Sequence, residues 1–187
     1  MNGKQLKNSI LQWAIQGKLV PQDPNDEPAS VLLERIRAEK ARLVKEKKIK
    51  KDKNESIIYR GEDNSYYEKF LATREVKCID EEIPFEIPAT WEWCRLLSIV
   101  SLLGDGIHGT PEYSEGGSVY FINGNNLFDG QILIKPDTKT VSKEEAVKHS
   151  RLLNESTVLV SINGTIGNIA FYSGENVILG KSACYFN

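Results

Sequence analysis

A cluster of three prolines sets the first constraint on the fold. They lie within eight residues, at positions 21, 24 and 28. Proline fixes φ and has no backbone N–H, so no continuous helix can cross this segment. We therefore predict two separate N-terminal helices, over residues 4–20 and 29–50, with Ser30 placed to cap the second.

Each predicted helix has an apolar face. Leu6, Ile10 and Trp13 fall at i, i+4 and i+7, which is one face of a helix. Ile36 and Leu43 repeat at a spacing of seven in the second helix, but lysines interrupt the heptad, so a long coiled coil is not expected. These five residues are candidate partner-binding residues, and packing within the chain is an equally good interpretation.

Positive charge is concentrated in one segment. The net charge is −2, yet residues 35–53 contain ten Lys and Arg against three Asp and Glu. A nucleic-acid-binding function therefore cannot rest on a basic molecule as a whole. The run at 45–53 is either a solvated helix end or a patch that contacts phosphates.

Composition excludes several classes of protein. No apolar run approaches the roughly 20 residues that span a bilayer, and the N-terminus has no signal-peptide pattern. The three cysteines are far apart in the chain and form no C-x-x-C pair. This argues against a disulfide framework or a zinc site and fits a reducing cytoplasm.

The middle of the chain is predicted to be a connecting region. Residues 54–83 are polar and mixed, and we interpret them as a linker with a short helix around Tyr66 to Leu71. Trp91 and Trp93 follow a pair of prolines, and we expect both to pack in a core.

Beyond residue 111, after a first core strand, the pattern favours β-structure. The apolar run 96–103 predicts a first core strand, and Asp129-Gly130 and Asn163-Gly164 are hairpin signals. Ser142 begins a capping-box pattern that predicts a short helix to about Leu153. Further strands are predicted at 118–122, 157–162, 177–179 and 183–186. The class is therefore α+β, with N-terminal helices followed by a β-rich region that contains hairpins and a short helix.

Two glycine-rich stretches imitate nucleotide-binding motifs. Gly104 to Gly109 matches G-x-G-x-x-G, but Gly116-Gly117 leaves no room for the helix that must follow. Gly174 to Ser182 has five residues between its glycines where a P-loop has four. The two histidines have no metal-ligand spacing, and no nucleophile elbow is present. We predict no catalytic residues, no metal site and no cofactor. The first stretch is expected to be a loop whose glycines let it bend sharply.

Three blocks of sequence carry a family resemblance. They are LQWAIQGKLVPQDPNDEPAS at 11–30 with LERI at 33–36, IPFEIPATWEW at 83–93, and GIHGTP at 106–111 with SINGTIGN at 161–168. Together they resemble the specificity subunits of type I restriction-modification systems. The resemblance covers nearly the whole chain, and its first block is the most specific.

The resemblance implies a division into three parts. Residues 1–53 correspond to the family's helical spacer, 54–83 to a linker, and 84–187 to a target-recognition domain. Because the last predicted strand runs to Asn187, we expect that domain to be incomplete at its C-terminal end.

The resemblance also implies a function and partners. The chain would read double-stranded DNA in the cytoplasm of a bacterium or archaeon, with no catalysis of its own and no membrane contact. Methyltransferase subunits would methylate adenine with S-adenosylmethionine, and a restriction and translocase subunit would use ATP and Mg²⁺. These cofactors would belong to the partners. The alternative is an interaction module that mainly docks the methyltransferase subunits.

Polar and basic residues of the β-rich region are the DNA-binding candidates. Asn can read adenine edges, while Lys and Arg can read guanine or hold phosphates. Turn chemistry for the asparagines and a solvated helix face for the lysines are the competing interpretations. The candidates are His108, Thr110, Asn123, Asn125, Asn126, Lys135, Lys139, Lys143, Lys148, His149, Arg151 and Lys181.

Overall fold

A computed structural model describes residues 2–187 and divides the chain into two compact units. The first unit ends at Ile99 and the second runs Val100–Asn187. The boundaries predicted after residues 53 and 83 do not coincide with this division. The α+β class is confirmed, with helices at the N-terminus and a strand-rich region after them.

The first unit combines helices with a small antiparallel sheet of order β1-β2-β3. Its elements are α1 (Gly3–Ile15), α2 (Ala29–Lys45), β1 (Ser56–Arg60), β2 (Tyr66–Phe70), β3 (Val76–Cys78), a 3-10 turn (Asp80–Glu82) and α3 (Leu96–Ile99).

Both long helices end earlier than predicted, for local reasons. Gly17 has φ +66°, and the N–H of Lys18 donates to the carbonyl of Trp13 at 2.8 Å, which closes α1. Lys47 takes the same left-handed conformation at φ 58° after α2. The prediction that Ser30 caps α2 is wrong, because Pro28 occupies the cap position and no side chain caps this end.

The prediction of a linker with a short helix at 54–83 is wrong, since a three-stranded sheet occupies this region. Tyr66 and Glu68 are buried on one face of β2, two residues apart, which is the period of a strand. The carboxylate of Glu68 accepts hydrogen bonds from Arg95 and Ser56, which hold its pKa below the usual range. Antiparallel pairing through the Gly61 turn therefore decides the structure of a segment whose composition looked like a linker.

The two tryptophans differ in their environments. Trp91 is 40% exposed, and its Nε1–H donates to Oε1 of Gln22 at 2.9 Å. The prediction that Trp91 packs in a core is therefore wrong. Trp93 is half-buried and lies against Phe85, with ring centroids 5.2 Å apart.

The elements of the second unit are β4 (Leu103–Asp105), β5 (Val119–Ile122), a 3-10 turn (Gly124–Asn126), β6 (Leu127–Phe128), β7 (Gln131–Ile132), β8 (Thr140–Val141), α4 (Lys143–Lys148), β9 (Val158–Ser161), β10 (Ile169–Phe171), β11 (Val177–Leu179) and β12 (Ala183–Phe186). Its strands form sheets of order β10-β9-β12-β4, β11-β5-β8 and β6-β7.

Two apolar clusters fill the second unit. The larger contains Ile122, Leu127 and Leu159, each wholly buried, and the smaller surrounds Val141. The predicted hairpin at Asp129-Gly130 is confirmed, with positive φ at both turn residues.

Three predicted elements of the β-rich region need correction. Residues 96–103 are not one strand, because α3 precedes β4. The helix opened by Ser142 ends at Lys148 rather than near Leu153. Asn163-Gly164 is not a two-residue hairpin turn, since a longer loop joins the end of β9 at Ser161 to the start of β10 at Ile169.

Candidate nucleic-acid interface

Strand pairing brings several polar loops to one end of the second unit. Asp105 at the end of β4 pairs with Cys184, and Ser161 at the end of β9 pairs with Ala183, so these strand ends meet at the start of β12. Ile122 at the end of β5 pairs with Leu179, beside the same point. We call the loops that emerge here the loop end, which comprises residues 106–110, 123–126, 162–168 and 180–182.

The glycines of 104–111 serve close packing rather than a sharp bend, which corrects the expectation from sequence. Neither Gly104 nor Gly106 has a positive φ. A Cβ on Gly104 would come within 2.9 Å of the Tyr185 ring, and one on Gly106 would overlap the carbonyl oxygens of Leu179 and Gly180. In the described chain no helix begins between Gly104 and Val119, so this is not a dinucleotide fingerprint.

The tip of this loop presents a histidine. His108 is 74% exposed, and its Nε2 lies 2.6 Å from Oδ2 of Asp105. This hydrogen bond lowers the pKa of the Asp105 carboxyl below its usual range. Thr110 is exposed beside it, whereas Pro111 is buried. His108 and Thr110 are therefore both exposed at the loop end.

The three candidate asparagines have different environments. Asn126 is 5% exposed, and its amide donates to the carbonyl of Leu133 at 2.9 Å. Its Oδ1 also accepts the N–H of Asn123. The side chain of Asn126 is thus hydrogen-bonded within the turn, and its contact with DNA stays a prediction. Asn125 is exposed, while Asn123 is half-buried and accepts from Ser182 Oγ at 3.0 Å.

The candidate lysines of the second unit do not all lie together in the structure. Lys135 lies beside the loop end, where its Nζ donates to the carbonyl of Asn125 at 2.7 Å. Lys139 and Lys143 are exposed elsewhere on the unit. Lys181 is exposed between β11 and β12, within the loop end, and no helix follows it as a P-loop would require.

Glu145 organises the remaining basic residues around α4. Its carboxylate accepts the N–H of Glu112 at 3.0 Å, accepts from Lys148 Nζ at 2.7 Å, and lies 3.2 Å from His149 Nε2. The bond from Lys148 is the main reason that the pKa of Glu145 falls to about 2. The same contact raises the pKa of Lys148.

Arg151 links this group to the first loop. Its Nε–H donates to the backbone carbonyl of Asp105 at 3.1 Å, one residue before the loop end begins. Arg151 therefore holds the backbone before the first loop, while Lys148 is paired with the carboxylate of Glu145.

One loop-end segment was not among the candidates. Residues 162–167 are all exposed, and Ile166 at 78% is more exposed than any other large apolar side chain of the described residues. Gly164 and Gly167 have positive φ, which carries the chain around an open loop. The sequence signal for this open loop was the pair Gly164 and Gly167, three residues apart, with no alternation of apolar residues between them.

The candidate partner-binding residues also separate into two sets. Leu6, Ile10 and Trp13 are 47%, 41% and 56% exposed, and α1 has no buried residue. Ile36 and Leu43 in α2 are half-buried. The unpartnered apolar face therefore belongs to α1.

Residues 2–187 contain neither a metal-binding cluster nor a membrane-spanning helix. Across these residues there is no group of three His, Cys, Asp or Glu side chains that could hold a metal ion. In the same part of the chain no helix has both the length and the apolar character needed to cross a membrane.

Comparison with known proteins finds similar chains. The EcoAI specificity subunit of a type I restriction enzyme, from Escherichia coli, is 39% identical over 177 residues, which are 95% of this chain and 26% of the relative. The EcoEI specificity subunit, also from Escherichia coli, is 34% identical over 161 residues, or 85% of this chain and 24% of the relative. The chain thus spans about a quarter of the length of these relatives. No family model matches the chain, and no solved structure matches it.

Proposed function

Since the chain is a relative of the specificity subunits of type I restriction enzymes, as its sequence blocks predicted, we propose that it recognises a DNA sequence within such a complex. The observation that carries the proposal is the gathering of polar loops, distant in sequence, at the loop end of the second unit. The chain has no catalytic role in this proposal, and S-adenosylmethionine, ATP and Mg²⁺ belong to partner subunits in the cytoplasm of a bacterium or archaeon.

The loop end supplies the chemistry that base recognition needs. Asn125, Lys181 and His108 are exposed there, and amide, ammonium and imidazole groups can all reach base edges in a major groove. Lys135 steadies the Asn125 turn through its backbone carbonyl, which lowers the entropy cost when the turn meets DNA. Phosphate contacts would position this surface, and base contacts would specify the sequence.

A selection experiment tests sequence recognition directly. The 187-residue chain is incubated with a pool of random duplexes, and the bound fraction is sequenced over several rounds. We expect enrichment of one short motif. In the double variant Asn125→Ala, Lys181→Ala, we expect affinity for that motif to fall by about 1–3 kcal/mol for each base edge that is no longer read.

The control makes the same two kinds of substitution at exposed sites away from the loop end. Asn8→Ala, Lys69→Ala removes one exposed asparagine and one exposed lysine from the first unit, and its motif and affinity should match the wild type. If the wild-type chain enriches no motif from the pool, the proposal that this chain recognises a DNA sequence is wrong.

A second function is favoured by the exposure of α1. Its face of Leu6, Ile10 and Trp13 lacks a partner among the described residues of its unit, and exposed apolar patches often mark interfaces. In this alternative, α1 docks the methyltransferase subunits of the complex. Trp13→Asp should abolish co-purification with a methyltransferase subunit while circular dichroism shows an unchanged fold. Retained assembly with that variant would remove α1 as the docking surface.

A further inference from the structure

The lysine-rich segment that begins at the last residue of α2 is the most strongly charged part of the chain. We call residues 45–53 the basic tract. It contains six lysines and two acidic residues. Like charges at this density repel one another, and an anionic partner would relieve that repulsion.

Carboxylates pair with two arginines of α2, whereas most lysines of the basic tract have no such partner. Arg35 lies 2.5 Å from Glu27, and Arg42 is paired with both Glu39 and Glu46. Within the tract, Lys48 pairs with Glu46 at 2.8 Å. The lysines that have no carboxylate partner within 4.0 Å among the described residues are Lys45, Lys47, Lys50, Lys51 and Lys53.

The end of the helix explains only the beginning of the tract. A helix dipole favours cations in the last turn, and Arg42 and Lys45 are placed there. This effect fades beyond the helix end, whereas Lys50, Lys51 and Lys53 follow it by five residues or more. These three lysines therefore gain nothing from the dipole.

The tract is nevertheless held in place. Lys47 adopts a left-handed conformation that turns the chain, and Ile49 is half-buried. Farther along, Oδ1 of Asp52 accepts the N–H of Asn54 at 2.8 Å and forms a local turn before β1. The lysines are thus displayed from an anchored segment, which limits the backbone entropy cost when they bind a polyanion.

The second unit supplies little of the electrostatic attraction on which DNA binding depends. Residues 100–187 contain six Lys and Arg against nine Asp and Glu, and two of the six already bind carboxylate or carbonyl groups near the first loop. Affinity for DNA irrespective of sequence comes mainly from phosphate neutralisation by Lys and Arg. A basic element elsewhere in the chain would add to this attraction.

We propose that the basic tract binds the phosphodiester backbone of double-stranded DNA without regard to sequence. The inference rests on the proposed function, to which it adds a separate electrostatic contact in the first unit. The tract raises the concentration of DNA at the protein, and the loop end selects the sequence.

Salt dependence of binding tests the proposal. The full chain is titrated against a labelled duplex of scrambled sequence at several salt concentrations, followed by fluorescence anisotropy. In the quadruple variant Lys47→Gln, Lys50→Gln, Lys51→Gln, Lys53→Gln, we expect the slope of log K against log salt to become shallower by about 0.9 for each phosphate that is no longer neutralised. We expect affinity at about 50 mM salt to fall about tenfold or more.

A matched control separates position from net charge. Lys4→Gln, Lys7→Gln, Lys69→Gln, Arg74→Gln removes the same charge from exposed sites of the first unit and should keep the wild-type slope. Circular dichroism verifies that both variants are folded. The proposal is overturned if the wild type does not bind scrambled duplex at low salt, or if the two variants change the slope equally.

Competitors distinguish DNA from other anions. Polyglutamate and phosphatidylserine vesicles are compared with duplex at equal charge concentration, and we expect the duplex to compete best. If either anion competes as well as the duplex, a phosphodiester-specific role is wrong. The proposed function fails in a different way. If the chain does not recognise a sequence, no motif is enriched from the random pool, whatever the slope of log K against log salt.

Discussion

At the scale of single residues, the packing of the second unit depends on the absence of a side chain at Gly106. Gly106 lies so close to the carbonyls of Leu179 and Gly180 that no side chain fits between them. This close approach lets Ile107 pair with Gly180 and bury its side chain to 7% exposure. The loop that carries His108 is therefore fixed to the core immediately before its tip.

Gly106→Ala should destabilise the second unit. A Cβ there overlaps two backbone oxygens that cannot rotate away, and overpacking of this kind costs about 1–3 kcal/mol. Gly109→Ala is the control in the same loop, because no atom lies within 4 Å of its added Cβ and its φ is not positive. Urea unfolding monitored at the second unit should show reduced stability for the first variant only. Equal stabilities would contradict the packing role.

The asparagines of 123–126 show why residue roles were only partly predictable. The sequence predicts a polar cluster at the end of a strand, which is correct. It does not reveal that Asn126 is fixed by Leu133 and Thr138, seven and twelve residues away. Asn125 is its immediate neighbour in the chain but is exposed to solvent. The path of the hairpin that follows makes the amide of Asn126 structural and leaves that of Asn125 exposed, and the sequence pattern does not reveal this path.

At the scale of elements, α4 acts as a clamp on the first loop of the second unit. Ser142 caps the helix by accepting the N–H of Glu145 at 3.1 Å. Glu145 in turn binds the backbone N–H of Glu112 and two basic side chains that follow it in sequence. One carboxylate therefore joins a helix to the loop exit and orients Lys148 and His149.

Glu145→Gln should weaken this clamp in a pH-dependent way. The pKa of Glu145 in the folded chain is about 2, below its ordinary value of 4.5. Its ionised form therefore stabilises the fold above pH 4.5, and that stabilisation disappears as pH falls toward 2. We expect the variant to be less stable at pH 7 and to show a shallower decline in stability below pH 4.5. Urea unfolding at a series of pH values measures both.

The exposed Glu155 provides a control for the removal of one carboxylate. It lies in the turn before β9, and Glu155→Gln should follow the wild-type dependence on pH. The contacts of Glu145 would contribute nothing to stability if the free energy of unfolding of Glu145→Gln also paralleled that of the wild type from about pH 5 to about pH 2.

Elements differed in how far the sequence predicted them. β5, β9 and β12 are runs rich in β-branched or aromatic residues with buried side chains, so their pattern was sufficient. The first sheet was missed because β3 is wholly exposed and β1 has only one buried residue. Its strands exist through pairing across turns, which composition does not encode.

At the scale of the whole molecule, burial is distributed unevenly. α1 has no buried residue, whereas Leu159 and Ala183 in the central strands of the second unit are wholly buried. Local opening costs little free energy where little apolar surface becomes exposed. The first unit therefore contains a weakly held helix with one apolar face, whereas the second unit contains a firmly packed sheet.

Hydrogen exchange should show this contrast. Amides of α1 should exchange far faster than those of β9 and β12, because opening α1 exposes little additional apolar surface. Mass spectrometry of peptides from the native chain measures both in one experiment. Protection of α1 equal to that of β12 in the isolated chain would mean that the helix is stabilised by interactions other than apolar burial.

The gathering of the loops at one end of the second unit has an evolutionary consequence. Each loop is bounded by strand residues that are already paired, such as Ser161 with Ala183 and Ile122 with Leu179. Insertions, deletions or recombination within a loop leave these anchor pairs unchanged. Such a scaffold can diversify what it binds through short exchanges of sequence, while the cost of each trial to folding stays small.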